Sequence, residues 1–215
     1  MSEICVNYYP EIFPAVNLAG ADIVEGAAGP GPRLVFWTQG CAKRCPGCIN
    51  GPFLPATRAR VTTVAEMIAV IPAYGIDGVT LSGGEPVLQA AALVPLLREV
   101  RDRGLTVVCY TGYRVEELHA CQVAGEFLSL IDLLIDGEYH QELPRAGVYQ
   151  PSANQRLHFL SGRIAPREFS GCPETVIRIA GDHASATGTL PLALRTRLFQ
   201  ELRAVGVNIS AAPHS

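Results

Sequence analysis

Seven cysteines are spread over 215 residues, and three of them stand together: Cys41, Cys45 and Cys48, in Gly40-Cys-Ala-Lys-Arg-Cys-Pro-Gly-Cys-Ile-Asn50. The spacing C-x3-C-x2-C supplies three thiolates and no obvious fourth. A cubic 4Fe-4S cluster has four irons, and protein thiolates normally hold all of them. Three thiolates leave one iron open to a substrate or cofactor, by the logic of an open catalytic metal site. Gly40, Pro46, Gly47 and Gly51 let the backbone wrap closely around such a cluster and turn N–H groups toward its sulfurs. Zinc with a distant fourth ligand is the competing reading, and ordinary thiols in a turn are a third. An odd cysteine count with nothing that looks secreted argues against a disulfide framework. The spacing favours the open-site cluster.

Other chemistry-bearing stretches follow at intervals. Ser82-Gly-Gly-Glu85 offers exposed carbonyls and one carboxylate, a set able to receive an ammonium group, with glycines that permit close approach. It also reads as a tight strand-to-helix turn with an acid at the helix start. Thr111, in Tyr110-Thr-Gly-Tyr113, is either a ligand contact or a cap for the next helix. Asp136, in Asp136-Gly-Glu138, can hold a cofactor or a cation, or cap a turn. Asn154 and Gln155, in Ser152-Ala-Asn-Gln155, meet a ligand or partner, or satisfy backbone groups at a strand start. Cys109 reads as a small buried hydrophobe. Cys5, Cys121 and Cys172 are too scattered for a second cluster. The histidines, 119, 140, 158, 183 and 214, suit surface or polar-core roles better than metal ligation.

These residues need elements to position them. The apolar run Leu34 to Trp37 reads as a strand ending at the cysteine loop. Thr63-Val-Ala-Glu66 is a capping box opening a helix to about Ala73. Asp77 to Ser82 is a strand. Leu93, Leu96, Leu97 and Val100 recur at helical spacing, with Pro95 predicting a kink or break and Gly104 a stop. Strands over Leu105 to Thr111 and Leu130 to Asp136 flank a helix over Arg114 to Ala124. Further strands are expected at Arg156 to Leu160 and Thr175 to Ala180. Pro191 to Val205 reads as an amphipathic helix with Leu194, Leu198, Leu202 and Val205 on one face. Each chemistry-bearing motif falls after a strand, where α/β folds gather their sites. Strand–helix alternation calls for parallel strands with right-handed crossovers. Five to six such units are too few for a complete barrel, so a partial, open parallel β/α barrel is expected.

Residues 1–33 read as an irregular lead-in, with a possible edge strand at Ile4 to Tyr9 and a turn-rich loop over Gly26 to Arg33. Residues 34–215 form the barrel domain, the C-terminal strand and helix included. The length suits one α/β domain. An apolar fraction of 48% with 17% charged residues fits a compact fold. A net charge of −3 gives no reason to expect nucleic-acid binding. No apolar run approaches the roughly 18 to 20 residues of a membrane span, and no signal-peptide pattern opens the chain. A reducing cytoplasm is the expected compartment. Lys43 is the only lysine, and it lies inside the cysteine loop.

Gly-Cys-x3-Cys-Pro-Gly-Cys-x-Asn after a first strand resembles the radical S-adenosylmethionine (SAM) superfamily. It is most similar to the small activating enzymes, above all the activator of anaerobic ribonucleotide reductase. Gly-Pro-Gly-Pro-Arg33, Ser82 to Glu85, Tyr-Thr-Gly-Tyr, Asp136-Gly and Ser152-Ala-Asn-Gln155 resemble that group's segments in the same order. Val148-Tyr-Gln-Pro151 departs from the group's Trp-Arg-Gly lead-in. The resemblance implies that Cys41, Cys45 and Cys48 hold three irons and that SAM binds the fourth through its amino and carboxylate groups. It assigns Ser82, Gly83, Gly84, Glu85, Thr111, Asp136 and Asn154 to the SAM site. It further implies a flavodoxin- or ferredoxin-type electron donor, reductive cleavage to methionine and a 5′-deoxyadenosyl radical, and hydrogen abstraction from a glycine of a glycyl radical enzyme. A small radical SAM enzyme that modifies a precursor peptide is the second reading. A zinc- or cluster-bearing binding module without turnover is the third.

Overall fold

The computed structural model describes residues 9–145, 148–169, 175–188 and 192–210. The expected strand at Ile4 to Tyr9 falls outside these but for Tyr9, as do Cys5, Cys172, Pro191 and His214. Ten strands and five helices are described: β1 (Val16–Glu25), β2 (Pro32–Thr38), β3 (Arg60–Thr62), α1 (Val64–Ala69), β4 (Gly78–Gly83), α2 (Ala90–Asp102), β5 (Thr106–Tyr110), α3 (Val115–His119), α4 (Gln122–Ser129), β6 (Leu133–Asp136), β7 (Arg156–Phe159), β8 (Thr175–Ala180), β9 (His183–Gly188), α5 (Leu192–Ala204) and β10 (Asn208–Ser210). Seven strands form one sheet in the order β3-β1-β2-β4-β5-β6-β7, and β10-β9-β8 form a second. The run β2-β4-β5-β6 is parallel, and β1, β3 and β7 join it antiparallel. The architecture is the expected open α/β one, with no closed barrel. Three strand–helix–strand crossovers build its parallel part.

Alternation sorts the strand residues onto two faces. Leu34, Phe36, Val79, Leu81, Val107, Cys109 and Leu134 point to one side and join α1, α2 and α4 in the main core. Val35, Trp37, Thr80, Val108, Tyr110, Leu133 and Ile135 fall on the other, concave side. Arg33 fills the lower end of that concavity. It is fully buried and donates to Thr80 Oγ1 (2.8 Å), the Val79 carbonyl (2.9 Å), Thr106 Oγ1 (3.0 Å) and the Thr106 carbonyl (2.7 Å). Burial pushes its guanidinium down to about 10. The Gly26 to Arg33 segment is therefore more than a connector. It folds back over Arg33, and Thr80 Oγ1 donates to the Ala28 carbonyl at 2.9 Å.

Several elements differ from expectation for identifiable reasons. The segment read as an irregular lead-in contains β1, which pairs with β2 along most of its length and with β3 at its start. Its register shifts between Leu18 and Gly20, and this irregularity hides the period-2 pattern. Asn17 anchors it: Asn17 N–H donates to Gln89 Oε1 (2.7 Å), and Gln89 Nε2 returns a bond to the Asn17 carbonyl (3.0 Å). The capping box is present, with Thr63 and Glu66 bonded reciprocally, but α1 stops at Ala69 because Pro72 disfavours helix just before it. The helix α2 runs through Pro95, which lies on the exposed side while Leu93, Leu96, Leu97 and Val100 are buried. The helix expected over Arg114 to Ala124 is two, because extended Cys121 caps α4 from a buried position. Leu194 of α5 and Val205 just past its end are exposed, and Leu198 and Leu202 are only half-buried, so the expected apolar stripe is not fully packed into a core. Among the described residues, no helix is long and apolar enough to cross a membrane.

Candidate active site

The upper, C-terminal ends of the parallel strands surround a cavity of about 180 Å3. Cys41, Cys45 and Cys48 line it from the loop after β2. Ser82, Gly83, Gly84 and Glu85 line it from the end of β4, and Thr111 and Gly112 from the end of β5. Eight of the ten residues assigned from sequence thus meet on one cavity. Asp136 and Asn154 do not line it.

The glycines of Ser82-Gly-Gly-Glu85 have a steric reason that the sequence does not show. Gly83 has φ 101°, and a Cβ there would lie 2.4 Å from the Thr38 nitrogen. A Cβ on Gly84 would lie 2.2 Å from the Gly40 carbonyl oxygen. The close approach is to the backbone of the cysteine loop. Gly84 N–H donates to the Thr38 carbonyl (2.7 Å), Glu85 N–H to the Gly40 carbonyl (2.8 Å), and Asn50 Nδ2 to the Gly83 carbonyl (3.0 Å). Two main-chain bonds and one from the Asn50 side chain lace two sequence motifs into one unit.

Glu85 is buried, and its carboxylate accepts from Thr111 Oγ1 (2.8 Å), Gly112 N–H (2.8 Å) and Val87 N–H (3.1 Å). Burial pushes it up to about 7, against the pull of those donors and of Lys43. It therefore ties the β5 loop to the β4 loop while facing the cavity. Lys43 performs a similar task from the cysteine loop. Its ammonium lies 3.2 Å from Glu138 and 3.8 Å from Glu117, and 4.3 Å from the centre of the Tyr113 ring. The lone lysine clamps the cysteine loop to the ends of β5 and β6.

Asp136 is fully buried and supports the site from behind. It accepts from the Val115 N–H at the start of α3 (2.8 Å) and pairs with Arg156 (2.5 Å) and His158 (3.0 Å). Burial raises its carboxyl, but Arg156, Val115 N–H and His158 outweigh burial and hold it below the usual range. Asn154 lines a neighbouring polar cavity of about 280 Å3 with Lys43, Arg114, Glu117, Glu138 and His140. Its Nδ2 donates to the Glu138 carbonyl at 2.8 Å, and its buried Oδ1 has no hydrogen-bond partner. Gln155 lines the main cavity and donates to the Gly137 carbonyl at 2.9 Å.

Sequence reasoning missed Trp37, Tyr139, Tyr149 and the run Ala186 to Gly188, all of which line the cavity. Trp37 was within reach, since it lies two residues from Val35 on one face of β2. Nothing local marks the others.

The cysteine loop fits an iron–sulfur cluster. Its donor set is all sulfur, and Cys109 and Cys121 are buried in the main core, away from the cavity. Burial and then Glu85 push the Cys41 thiol up to about 11, while the Arg44 and Lys43 N–H groups bond to it and pull it back. Burial also raises Cys45, opposed by the Tyr139 N–H. N–H groups directed at thiol sulfurs are what cluster thiolates require around them. Arg44 adopts φ 51° to complete the turn, a left-handed conformation that costs a non-glycine residue about 1 kcal/mol. Among the described residues no three His, Cys, Asp or Glu side chains group around one ion position. A cube asks for a different arrangement, each thiolate on its own iron.

Residues 27–158 match the family described as a 4Fe-4S single cluster domain, and the chain belongs to that family, within its radical SAM activase group. The chain is 31% identical over 157 residues to the anaerobic ribonucleoside-triphosphate reductase-activating protein of Enterobacteria phage T4, covering 69% of this chain and 92% of that one. It is 30% identical over 164 residues to the protein of the same name from Escherichia coli K12, covering 72% and 97%. A shorter match, 39% identical over 84 residues, joins it to the pyruvate formate-lyase-activating enzyme of Staphylococcus aureus, over 36% of this chain and 34% of that one. The cofactors of this group are a 4Fe-4S cluster and SAM.

Proposed function

We propose that this chain activates a glycyl radical enzyme, of the anaerobic ribonucleotide reductase type, by removing a hydrogen atom from the Cα of one of its glycines. The observation that carries the reading is the meeting of Cys41, Cys45, Cys48, Ser82 to Glu85 and Thr111 on one cavity. The names and coverage of the relatives support the partner class. Cys41, Cys45 and Cys48 would hold the cluster. When bound, cluster and SAM together supply a one-electron cleavage that yields methionine and a 5′-deoxyadenosyl radical, the hydrogen acceptor.

The chain's own residues provide position and exclusion of water. The Ser82 to Glu85 turn presents its carbonyls and carboxylate to the SAM ammonium. Glu85 fixes Thr111 and Gly112 so that the β5 loop forms the adjoining wall. Asn154 holds the Glu138 backbone, and Glu138 in turn holds Lys43 of the cysteine loop. Asp136 sets α3 and is a positioning residue. A flavodoxin- or ferredoxin-type protein is the proposed reductant and the cytoplasm the proposed compartment, with neither nucleic acid nor membrane as partner. Residues 34–215 act as one catalytic unit, with β1 from the first 33 residues completing the sheet.

The test is anaerobic. The protein is reconstituted with iron and sulfide, reduced with dithionite and given SAM, and 5′-deoxyadenosine is measured. Wild type forms it, and Cys45→Ala drops to the no-protein background. A zinc-loaded protein that forms none under any reductant would overturn the reading in favour of a binding module.

A further inference from the structure

One wall of the cavity lies beyond the part of the chain that the family pattern covers. The pattern ends at residue 158. Yet Ala186, Thr187 and Gly188 of β9 line the same cavity as the three cysteines. They arrive there through β8, their antiparallel partner. Val176 packs against the cluster of Val24, Val35, Trp37 and Phe53 on the concave face. Arg178 donates to Asp22 Oδ2 (2.8 Å) and to the Ile23 carbonyl (2.5 Å) of β1. In the ladder, Thr175 faces Gly188, Val176 faces Thr187 and Ile177 faces Ala186. The packing and the ion pair on β8 therefore hold the cavity-lining residues of β9 in place.

A partial barrel leaves its concave face open on one side. Here the cofactor side is occupied by the cysteine loop and the β4 and β5 loops, and β9 stands among the walls left for an incoming substrate. We propose that β9 forms the substrate-side wall and that Thr187 sets the width of the passage. The ligand class is an extended main-chain segment with a glycine at its centre, because a side chain at the reacting carbon would add bulk between Thr187 and the cofactor side. The inference rests on the activase reading, and it adds to that reading a size-selecting residue outside the family's matched region.

The test separates the two. Full-length reconstituted protein is given SAM, reductant and the pentapeptide Ala-Ala-Gly-Ala-Ala with a dideuterated glycine. The readout is deuterium recovered in 5′-deoxyadenosine per 5′-deoxyadenosine formed, with iron content measured beside it. Wild type transfers deuterium. Thr187→Trp keeps its iron, and its transfer ratio falls at least tenfold, a change of about 1.4 kcal/mol in partitioning. Ile179→Trp, which places the same indole at an exposed position of the same hairpin, keeps the wild-type ratio. An unchanged ratio in Thr187→Trp overturns the wall and leaves the activase reading intact. Parallel loss of SAM cleavage and iron in Thr187→Trp also overturns it, since Thr187 would then belong to the cofactor seat. A wild type that cleaves SAM but never takes deuterium overturns the peptide-segment substrate. A wild type that cleaves no SAM overturns the activase reading itself, and the inference with it.

Discussion

The cysteine loop and the β8–β9 hairpin line one cavity, and different kinds of bond hold them there. On the cysteine side, backbone crosses backbone. Gly84 N–H to Thr38 and Glu85 N–H to Gly40 are main-chain bonds that no side-chain exchange removes, and the Asn50 amide on Gly83 and Lys43 on Glu138 reinforce them. On the hairpin side the connections are side-chain ones, Val176 in an apolar cluster and Arg178 on Asp22 and Ile23. The first side must keep a cofactor within reach of three thiols, so small shifts matter. The second has only to bound a space, and it can vary without disturbing the seat of the cofactors. That difference accords with a family pattern that covers the first side and stops before the second.

The sharpest way to break the comparison is to add one methyl group on each side. Gly83→Ala puts a Cβ 2.4 Å from the Thr38 nitrogen at φ 101°. Both the clash and the dihedral oppose it, and a loss exceeding about 4 kcal/mol is expected, with cluster uptake at background. Gly181→Ala, in the β8–β9 turn, also has a positive φ of 59° but nothing within 4 Å. Only the dihedral cost applies, about 1 kcal/mol. Denaturant midpoints and bound iron check both. Equal effects would mean that the two sides are built alike.

A second test sharpens the cysteine side through pH. Glu85 has its folded pKa raised by burial to about 7 from a usual 4.5. Its protonated form is the one the fold favours. In the cluster-free protein the contribution of Glu85 is therefore fully present below about pH 4.5, and up to about 3 kcal/mol of it is lost as pH rises through 7. Asp136 has its pKa lowered, so its own loss comes as pH falls below the carboxylate range, outside this window. Glu85→Gln is expected to flatten the slope between about pH 5 and 7.5, read from urea midpoints. A variant with the wild-type slope would show that another group is responsible.

Much of the cysteine side was legible because its signals are local. A capping box at Thr63 and Glu66, a helix stop at Gly104 and motifs at successive strand ends all depend on neighbours in sequence. What stayed hidden depends on distant partners. The strand β1 reads as a loop because Gly20 and the register shift break its alternation, and it exists through β2, β3 and Gln89. Gly83 and Gly84 read as room for a ligand, whereas the atoms nearest to them belong to Thr38 and Gly40. Asp136 reads as a ligand as easily as a cap, and only Arg156, His158 and Val115 show what it touches. Thr187 carries no local signal, since its position follows from the docking of β8.

The smallest expected effect concerns that docking. Arg178 and Asp22 form a half-exposed pair across 156 residues of sequence. Water screens such a pair, so a double-mutant cycle with Arg178→Ala and Asp22→Ala should give a coupling of only about 0.2 to 1 kcal/mol in global stability. Arg178 also bonds the Ile23 carbonyl, so Arg178→Ala should cost more than Asp22→Ala. The informative readout is local. Amide exchange in β8 and β9 should quicken in Arg178→Ala, while amides of the cysteine loop and of β4 keep their wild-type rates, because side-chain docking and backbone lacing open independently. If both sets quicken together, the hairpin and the cysteine loop form one cooperative unit, and the distinction between them fails.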